Sequence, residues 1–243
     1  MSLIESARLG KLPAEQYMDR ETLDWIKDNK PNFDPFYGSF PKISKNDIAL
    51  LIKYTPCSDW FFNYKKIDTI HGLRHILRVA IYAALLCEKM AAAQKTNIII
   101  SAMLHDIRRL EDKEDPGHGE RSSSWFLSNI KAVEKQFKLK LEGKDIEEIS
   151  TAVKLHEIPC NLLEKENFYI KHRYITDILK TADALDRYRL PKIKWWIDEK
   201  RLAIAPSCGI KKTAYDLVLS SESLYLDGKD NIESIFQSLK PLN

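Results

Sequence analysis

The chemistry this sequence can offer sits in three separated stretches: His75, the adjacent pair His105-Asp106, and Asp183. The pair falls near the end of an apolar run, Ile98 to Leu110 (IIISAMLHDIRRL). An imidazole and a carboxylate side by side at the edge of a buried helix are costly to desolvate unless something compensates, and a bound metal ion does so most directly. Two imidazoles and two carboxylates make a mixed nitrogen and oxygen site suited to Zn, Mn, Fe or Mg, with positions left for water and substrate. Such a cation lowers the pKa of bound water and neutralises a phosphoryl oxygen, so the chemistry to expect is metal-assisted hydrolysis of a phosphate ester. Taken singly, a histidine on an apolar face is more often a satisfied core residue than a ligand. The joint pattern carries the reading.

The elements that must position these residues are helical by pattern. HILRVAIYAALLCEKMAAAQ is apolar almost all round, which predicts a buried helix beginning near Ile70, with His71 and His75 on one face of its N-terminal end. A second helix is expected over roughly Thr96 to Leu110, followed by the polar turn EDKEDPGHG with Pro116, Gly117 and Gly119 as breakers. Glu120 to Phe137 reads as a third. Asp145-Ile-Glu-Glu148 looks like a capping box opening a helix that ends at Pro159, on which His156 falls beside the apolar face of Ile149, Ala152 and Val153. Tyr174 to Leu190, stopped by Pro191, would turn Asp183 toward the interior. KIKWWIDEKRLAIAP, Thr213 to Glu222 and Asp230 to Leu239 continue the helical pattern.

Residues 1–66 are less regular, because Pro13, Pro31, Pro35 and Pro41 divide them, and helices are expected near Ala14 to Asp28 and Lys45 to Tyr54. Two aromatic clusters, Phe33 to Phe40 and Trp60 to Tyr64, either pack this segment on the main domain or wall a pocket. The expected class is all-α: an N-terminal extension (1–66) packing on a main domain (67–243) whose core is 70–191.

The 38 basic and 35 acidic residues are interspersed and leave a net charge of +3, which is not the one-sided footprint of a nucleic-acid binder. The longest apolar run, Val79 to Cys87, is far too short to span a bilayer, and the first residues lack a signal-peptide core, so a cytoplasmic protein is expected. Four cysteines lie far apart without a Cys-x-x-Cys and read as small core or surface residues.

The order H…HD…D, with His75 in HILRVA, the pair in SAMLHDIRR and Asp183 in KTADALDRYRL, resembles the HD-domain metal-dependent phosphohydrolase superfamily over roughly Ile70 to Pro191. HG-x-x-H (His71 to His75), HD-x-RR-x-x-D and His118-Gly119 are similar to a group of stand-alone bacterial members. The resemblance implies an HD-type helical bundle with His75, His105, Asp106 and Asp183 as metal ligands, and His118 with His156 as candidates for a second metal. One or two divalent ions (Mn, Fe, Zn, Ni, Co or Mg) would be held per chain. The adjacent His-His pair of cyclic-dinucleotide-hydrolysing members is absent.

Asp106, His71 and His118 are the candidate catalytic groups. His71 could bind substrate, act as a general acid or hydrogen-bond a ligand, and His118 could instead meet the phosphate or protonate the leaving group. Arg78, Arg108 and Arg109, with Lys154 less favoured, are candidate clamps for the phosphate of a small ester or nucleotide. Arg109 reads equally well as a helix-surface residue paired with Asp112 or Asp115, and His172 as surface. A di-iron oxygenase on the same scaffold and a non-catalytic regulatory module are the other classes, and a homo-oligomer is allowed.

Overall fold

The computed structural model describes residues 1–34, 41–87, 90–198 and 202–240. Its axis is α4 (Leu73–Leu86), in which every residue from Leu73 to Leu85 is buried, as the all-round apolar pattern requires. Around it pack α5 (Ala92–Leu104), α11 (Arg173–Leu185), α12 (Cys208–Leu226) and α13 (Asn231–Ser238). A second layer is α8 (Gly143–Leu155), which lies against α5, α11 and α6 (His118–Ser128). Short helices α7 (Ile130–Phe137), α9 (Cys160–Leu163) and α10 (Asn167–Lys171) fill the connections, and the described residues contain no strand. Among those residues no helix is long and apolar enough to cross a membrane. The class is all-α.

Gly72 makes the entry into α4. A Cβ there would lie 2.2 Å from the Ile67 carbonyl oxygen and 2.3 Å from that of Lys66, so only glycine lets the preceding turn pass so close. The N-terminal residues form α1 (Leu3–Arg8), α2 (Arg20–Asp28) and α3 (Lys45–Lys53), capped by Ser2, Asp19 and Ser44. Their Leu3, Leu23, Ile26 and Leu51 share one apolar cluster with α4 and α5. Phe33 meets Tyr188 edge-on and Tyr215 at a tilt, and Trp60 lies 5.1 Å from Trp125 and 5.2 Å from Phe137. Phe62 and Tyr64 stay exposed. The rest of the first aromatic cluster, Phe36, Tyr37 and Phe40, lies outside the described residues.

Several expected boundaries move. His71 sits in the turn before α4, not on its face, because Gly72 N caps that turn on Thr69 O. α5 stops at Leu104, which puts the His105-Asp106 pair beyond the helix. Glu120 to Phe137 is two helices broken at Asn129, whose side chain turns back to the Trp125 carbonyl. The capping box at α8 joins Glu142 to Asp145, three residues earlier than expected. α11 gives way after Leu185 to a 3₁₀ turn, Asp186–Arg189. Of the three tail segments read as helical, KIKWWIDEKRLAIAP holds one 3₁₀ turn, Ile193–Trp195, with 199–201 outside the described residues, whereas Thr213 to Glu222 lies within α12 and Asp230 to Leu239 corresponds to α13. α2 begins only at Arg20, and α1 was not foreseen.

Arg78 is fully buried on α4 and paired with two carboxylates: Nε reaches Asp186 Oδ1 at 2.6 Å and NH1 reaches Glu222 Oε1 at 2.6 Å. It therefore does not face a substrate as the sequence suggested. Arg78→Met would leave Glu222 and Asp186 buried beside fewer counter-charges, at an expected cost of about 3 to 5 kcal/mol. Urea denaturation reads this directly, and a loss under about 1 kcal/mol would show that the pair is not needed for stability.

Candidate metal centre

The site is made where helices stop. His105 and His156 follow the last residues of α5 and α8, and each Nδ1 lies 2.7 Å from the carbonyl three residues earlier, Ala102 O and Val153 O. A carbonyl can only accept, so each Nδ1 is the donor and caps a helix carbonyl that would otherwise be orphaned. His118, at the start of α6, does the same to Asp115 O at 2.7 Å. His75 on α4 gives its Nδ1 hydrogen to Asp186 Oδ2 at 2.8 Å. The four rings are thereby set as Nδ1–H tautomers with their Nε2 lone pairs turned to the site, where Arg109 NH1 also lies 3.4 Å from His118 Nε2.

Those lone pairs converge in two pairs. His75 Nε2 and His105 Nε2 are 3.1 Å apart, and His118 Nε2 and His156 Nε2 are 3.0 Å apart. Asp106 lies between them: Oδ2 is 3.5 Å from His75 Nε2 and 3.9 Å from His105 Nε2, while Oδ1 is 3.2 Å from His118 Nε2 and 3.6 Å from His156 Nε2. Asp183 Oδ1 completes the first cluster at 3.4 Å from His75 Nε2 and 3.9 Å from His105 Nε2. Two groups therefore could hold a metal ion, His75-His105-Asp106 and Asp106-His118-His156, with Asp106 in both.

The donor set fits a cation on independent grounds. Two bare nitrogens facing each other at this distance repel, and Asp106 Oδ1 is buried without a hydrogen-bond partner. Nitrogens each about 2.1 Å from one ion and at right angles would stand about 3 Å apart, as these do.

A buried ionic chain holds His75 in place. Asp186 takes His75 on one oxygen, Arg78 on both and the Tyr82 hydroxyl at 3.2 Å, while Glu222 joins Arg78 to Arg74. Burial alone would raise the Asp186 pKa, but Arg78 and His75 hold it well below the usual carboxylate range.

The remaining sequence candidates divide. Arg109 reaches the site: NH1 lies 3.6 Å from Asp106 Oδ2, and its Nε and NH2 are steadied by the Glu111 and Lys113 carbonyls. Arg108 instead ties the Trp60 and Phe61 carbonyls to this turn and stacks over Phe62. Lys154 is exposed and paired with Glu120 at 2.6 Å, away from the cluster. His71 lies edge-to-face with His75 at a centroid distance of 5.6 Å. His172 is buried rather than on the surface, 3.1 Å from Glu147.

Two supporting carboxylates were missed. Asp186 shares a helical face with Asp183, and its partner could not be read from the sequence. Glu157, next to His156, accepts from the backbone N–H groups of Gly117 and Gly119 and lies 3.1 Å from His118 Nδ1. Adjacency to His156 was the available signal.

Burial drives the His105 pKa down to about 3 against the pull of Asp106. Glu157, although burial opposes it, is held at about 2 by His118 and the Gly119 N–H. Both groups have depressed folded values, so their stability contribution is whole above the unfolded pKa values and lost as pH falls. For His105 that window runs from 6.5 down to about 3, and for Glu157 from 4.5 to about 2. The metal-stripped protein should lose stability on acidification from pH 6.5 downward, measured by denaturant midpoints, and His105→Gln should flatten the upper part. A parent profile level from pH 7 to 5 would refute the burial of a neutral His105.

Residues 72–189 match the family model described as HD domain. No curated protein and no solved structure matches the chain. The matched segment opens at the glycine that starts α4, ends at Arg189 beyond Asp183 and contains all six residues of the two clusters. With the all-helical fold and the H…HD…D order in place, the match identifies an HD domain within this chain, consistent with the HD-domain metal-dependent phosphohydrolase superfamily.

Proposed function

We propose that the protein is a metal-dependent phosphohydrolase with two divalent cations flanking Asp106, acting on a small phosphate ester such as a nucleotide. The observation carrying this reading is the shared carboxylate: one buried Asp106 serves two histidine pairs, and its Oδ1 has no other partner. His75, His105, Asp106 and Asp183 would hold one ion, and Asp106, His118 and His156 the other. When bound, such ions supply a water of lowered pKa and neutralise charge on phosphoryl oxygens.

The chain's own residues bind and orient. Asp183 is the half-exposed member of the first cluster, whereas His75 and His105 are sealed, so solvent and substrate enter on the Asp183 side. Arg109, on the rim beside Asp106 and His118, presents a guanidinium that suits a phosphate oxygen. Asp186 keeps the His75 lone pair aimed inward, and Glu157 does the same for His118.

Metal analysis of the purified protein, followed by a panel of generic phosphoesters and nucleotides, tests the reading. Asp106→Ala should lose both ions and all hydrolysis, while His118→Ala and His156→Ala should each fall from about two equivalents to about one. Saturation of the parent at one equivalent, kept by both variants, would remove the second ion and leave these histidines to the substrate. Visible absorbance of bound iron with oxygen consumption and no ester cleavage would instead make it a di-iron oxygenase.

Arg109→Met should lower kcat/KM by about 1 to 3 kcal/mol in activation free energy, with metal content intact. Kinetics unchanged in that variant would remove Arg109 as the phosphate clamp.

A further inference from the structure

The N-terminal segment reaches the site through Asp112. Gln16 N–H donates to Asp112 Oδ2 at 2.8 Å, and the Gln16 side-chain amide donates to the Asp112 carbonyl at 3.1 Å. Asp112 N–H returns a bond to Ala14 O at 2.7 Å, and Ile70 N–H donates to Gln16 O at 2.8 Å. Residues 14–16 are thus stitched between the turn that precedes α4 and the turn that follows Asp106. The other carboxylate oxygen, Asp112 Oδ1, accepts from Thr69 Oγ1 at 3.0 Å and lies 3.2 Å from His71 Nδ1. The Asp112 side chain is sealed from solvent, whereas His71 keeps a small exposed edge.

A carboxylate accepts and does not donate, so His71 Nδ1 carries the hydrogen in this pair. The ring then resembles the four at the metal clusters: one nitrogen fixed by an acceptor, the other bare. A bare imidazole nitrogen repels a phosphoryl oxygen and attracts an O–H hydrogen. His71 is therefore not a phosphate grip, and in this state it has no proton to give from Nε2.

We propose that Asp112, clamped by Gln16 and Thr69, is a positioning residue that fixes His71 as its Nδ1–H tautomer. Nε2, on the opposite edge of the ring, is then left to accept a hydroxyl hydrogen at the mouth of the metal centre. The hydroxyl is that of the attacking water or one on the substrate. The assignment makes residues 14–16 a working part of the site, and its consequence for catalysis rests on the phosphohydrolase reading above.

Imidazole proton–nitrogen correlation spectra of full-length, histidine-labelled, Zn²⁺-loaded protein decide the tautomer, with His71→Gln assigning the signal. Nδ1–H in the parent and Nε2–H in Asp112→Asn are the expected results. An Nε2–H tautomer in the parent overturns the proposal whatever the variant does. For function, His71→Ala, Asp112→Asn and the double variant are assayed on p-nitrophenyl phosphate and on a ribonucleoside monophosphate. Each single change should lower kcat/KM by about 10- to 100-fold at constant metal content, with the double variant no worse than His71→Ala. Loss on both esters assigns the hydroxyl to water, and loss on the nucleotide alone assigns it to the substrate. A further loss from Asp112→Asn on the His71→Ala background would make Asp112 merely structural and sink the proposal. If the parent cleaves neither ester, the phosphohydrolase reading falls while the tautomer result still judges the positioning claim.

Discussion

Four imidazole lone pairs aimed at one carboxylate are the constraint on which this structure turns. Each Nδ1 is committed to an acceptor, so a neutral ring has no Nε2–H of its own to soften the 3.0 to 3.1 Å approach of the paired Nε2 atoms. An arrangement with that much facing electron density is unfavourable when empty and favourable around positive charge. The fold bears that strain with rigid elements. α4 is sealed on every side, α5 and α8 end at their histidines, and α6 begins at its own. Each ring is anchored to a helix terminus or to a buried carboxylate, and side-chain freedom contributes little to where the donors stand.

The family match covers 72–189, yet what holds the candidate ligands extends past both of its ends. On the C-terminal side Glu222 of α12 binds Arg78 and Arg74, and Arg74 also reaches Asn231 of α13 and lies over the Tyr225 ring. The chain Arg74, Glu222, Arg78, Asp186, His75 therefore links the last two helices to a candidate ligand. On the N-terminal side Gln16 reaches Asp112, and Phe62 N–H donates to Ile107 O, one residue after Asp106. A buried ionic chain contributes little net stability once desolvation is counted, but it has few alternative arrangements. Its effect is to fix the direction of His75 more than to hold the helices together.

Periodicity in the sequence was enough to find α4, α8 and α11 and to class the fold, because burial of an apolar face acts over whole turns. Termination acts over one or two residues and is decided by partners that periodicity does not show. His105 looked like a helical residue, but its ring takes the Ala102 carbonyl and ends α5, which swings Asp106 between two histidine pairs. The direction of His118 was left open by Gly117 and Gly119, and the structure settles it through two backbone facts. Gly117 takes φ +84°, and Gly119 packs where a Cβ would meet the Val153 carbonyl at 2.7 Å. Arg78 was misread because charge at helical spacing from a ligand says nothing of which side of the helix is closed. Its carboxylate partners lie 108 and 144 residues away.

Exposure around the two clusters is uneven, and the unevenness bears on how a substrate meets them. His75 and His105 are fully enclosed, and the Asp183 side chain is 30% exposed. The partly open His71, Arg109 and His118 share the remaining rim. An anion arriving there meets one guanidinium, while Arg78 and Arg189 are already bound to Asp186 and Lys180 Nζ is held by the His156 and Ile158 carbonyls. The rim by itself is therefore a weak anion site, and under the proposed function most of the attraction for phosphate would have to come from the cations that Asp106 would hold. Binding of substrate and binding of metal are then one problem rather than two: removing the shared carboxylate should cost both together, whereas removing Arg109 should cost only the first.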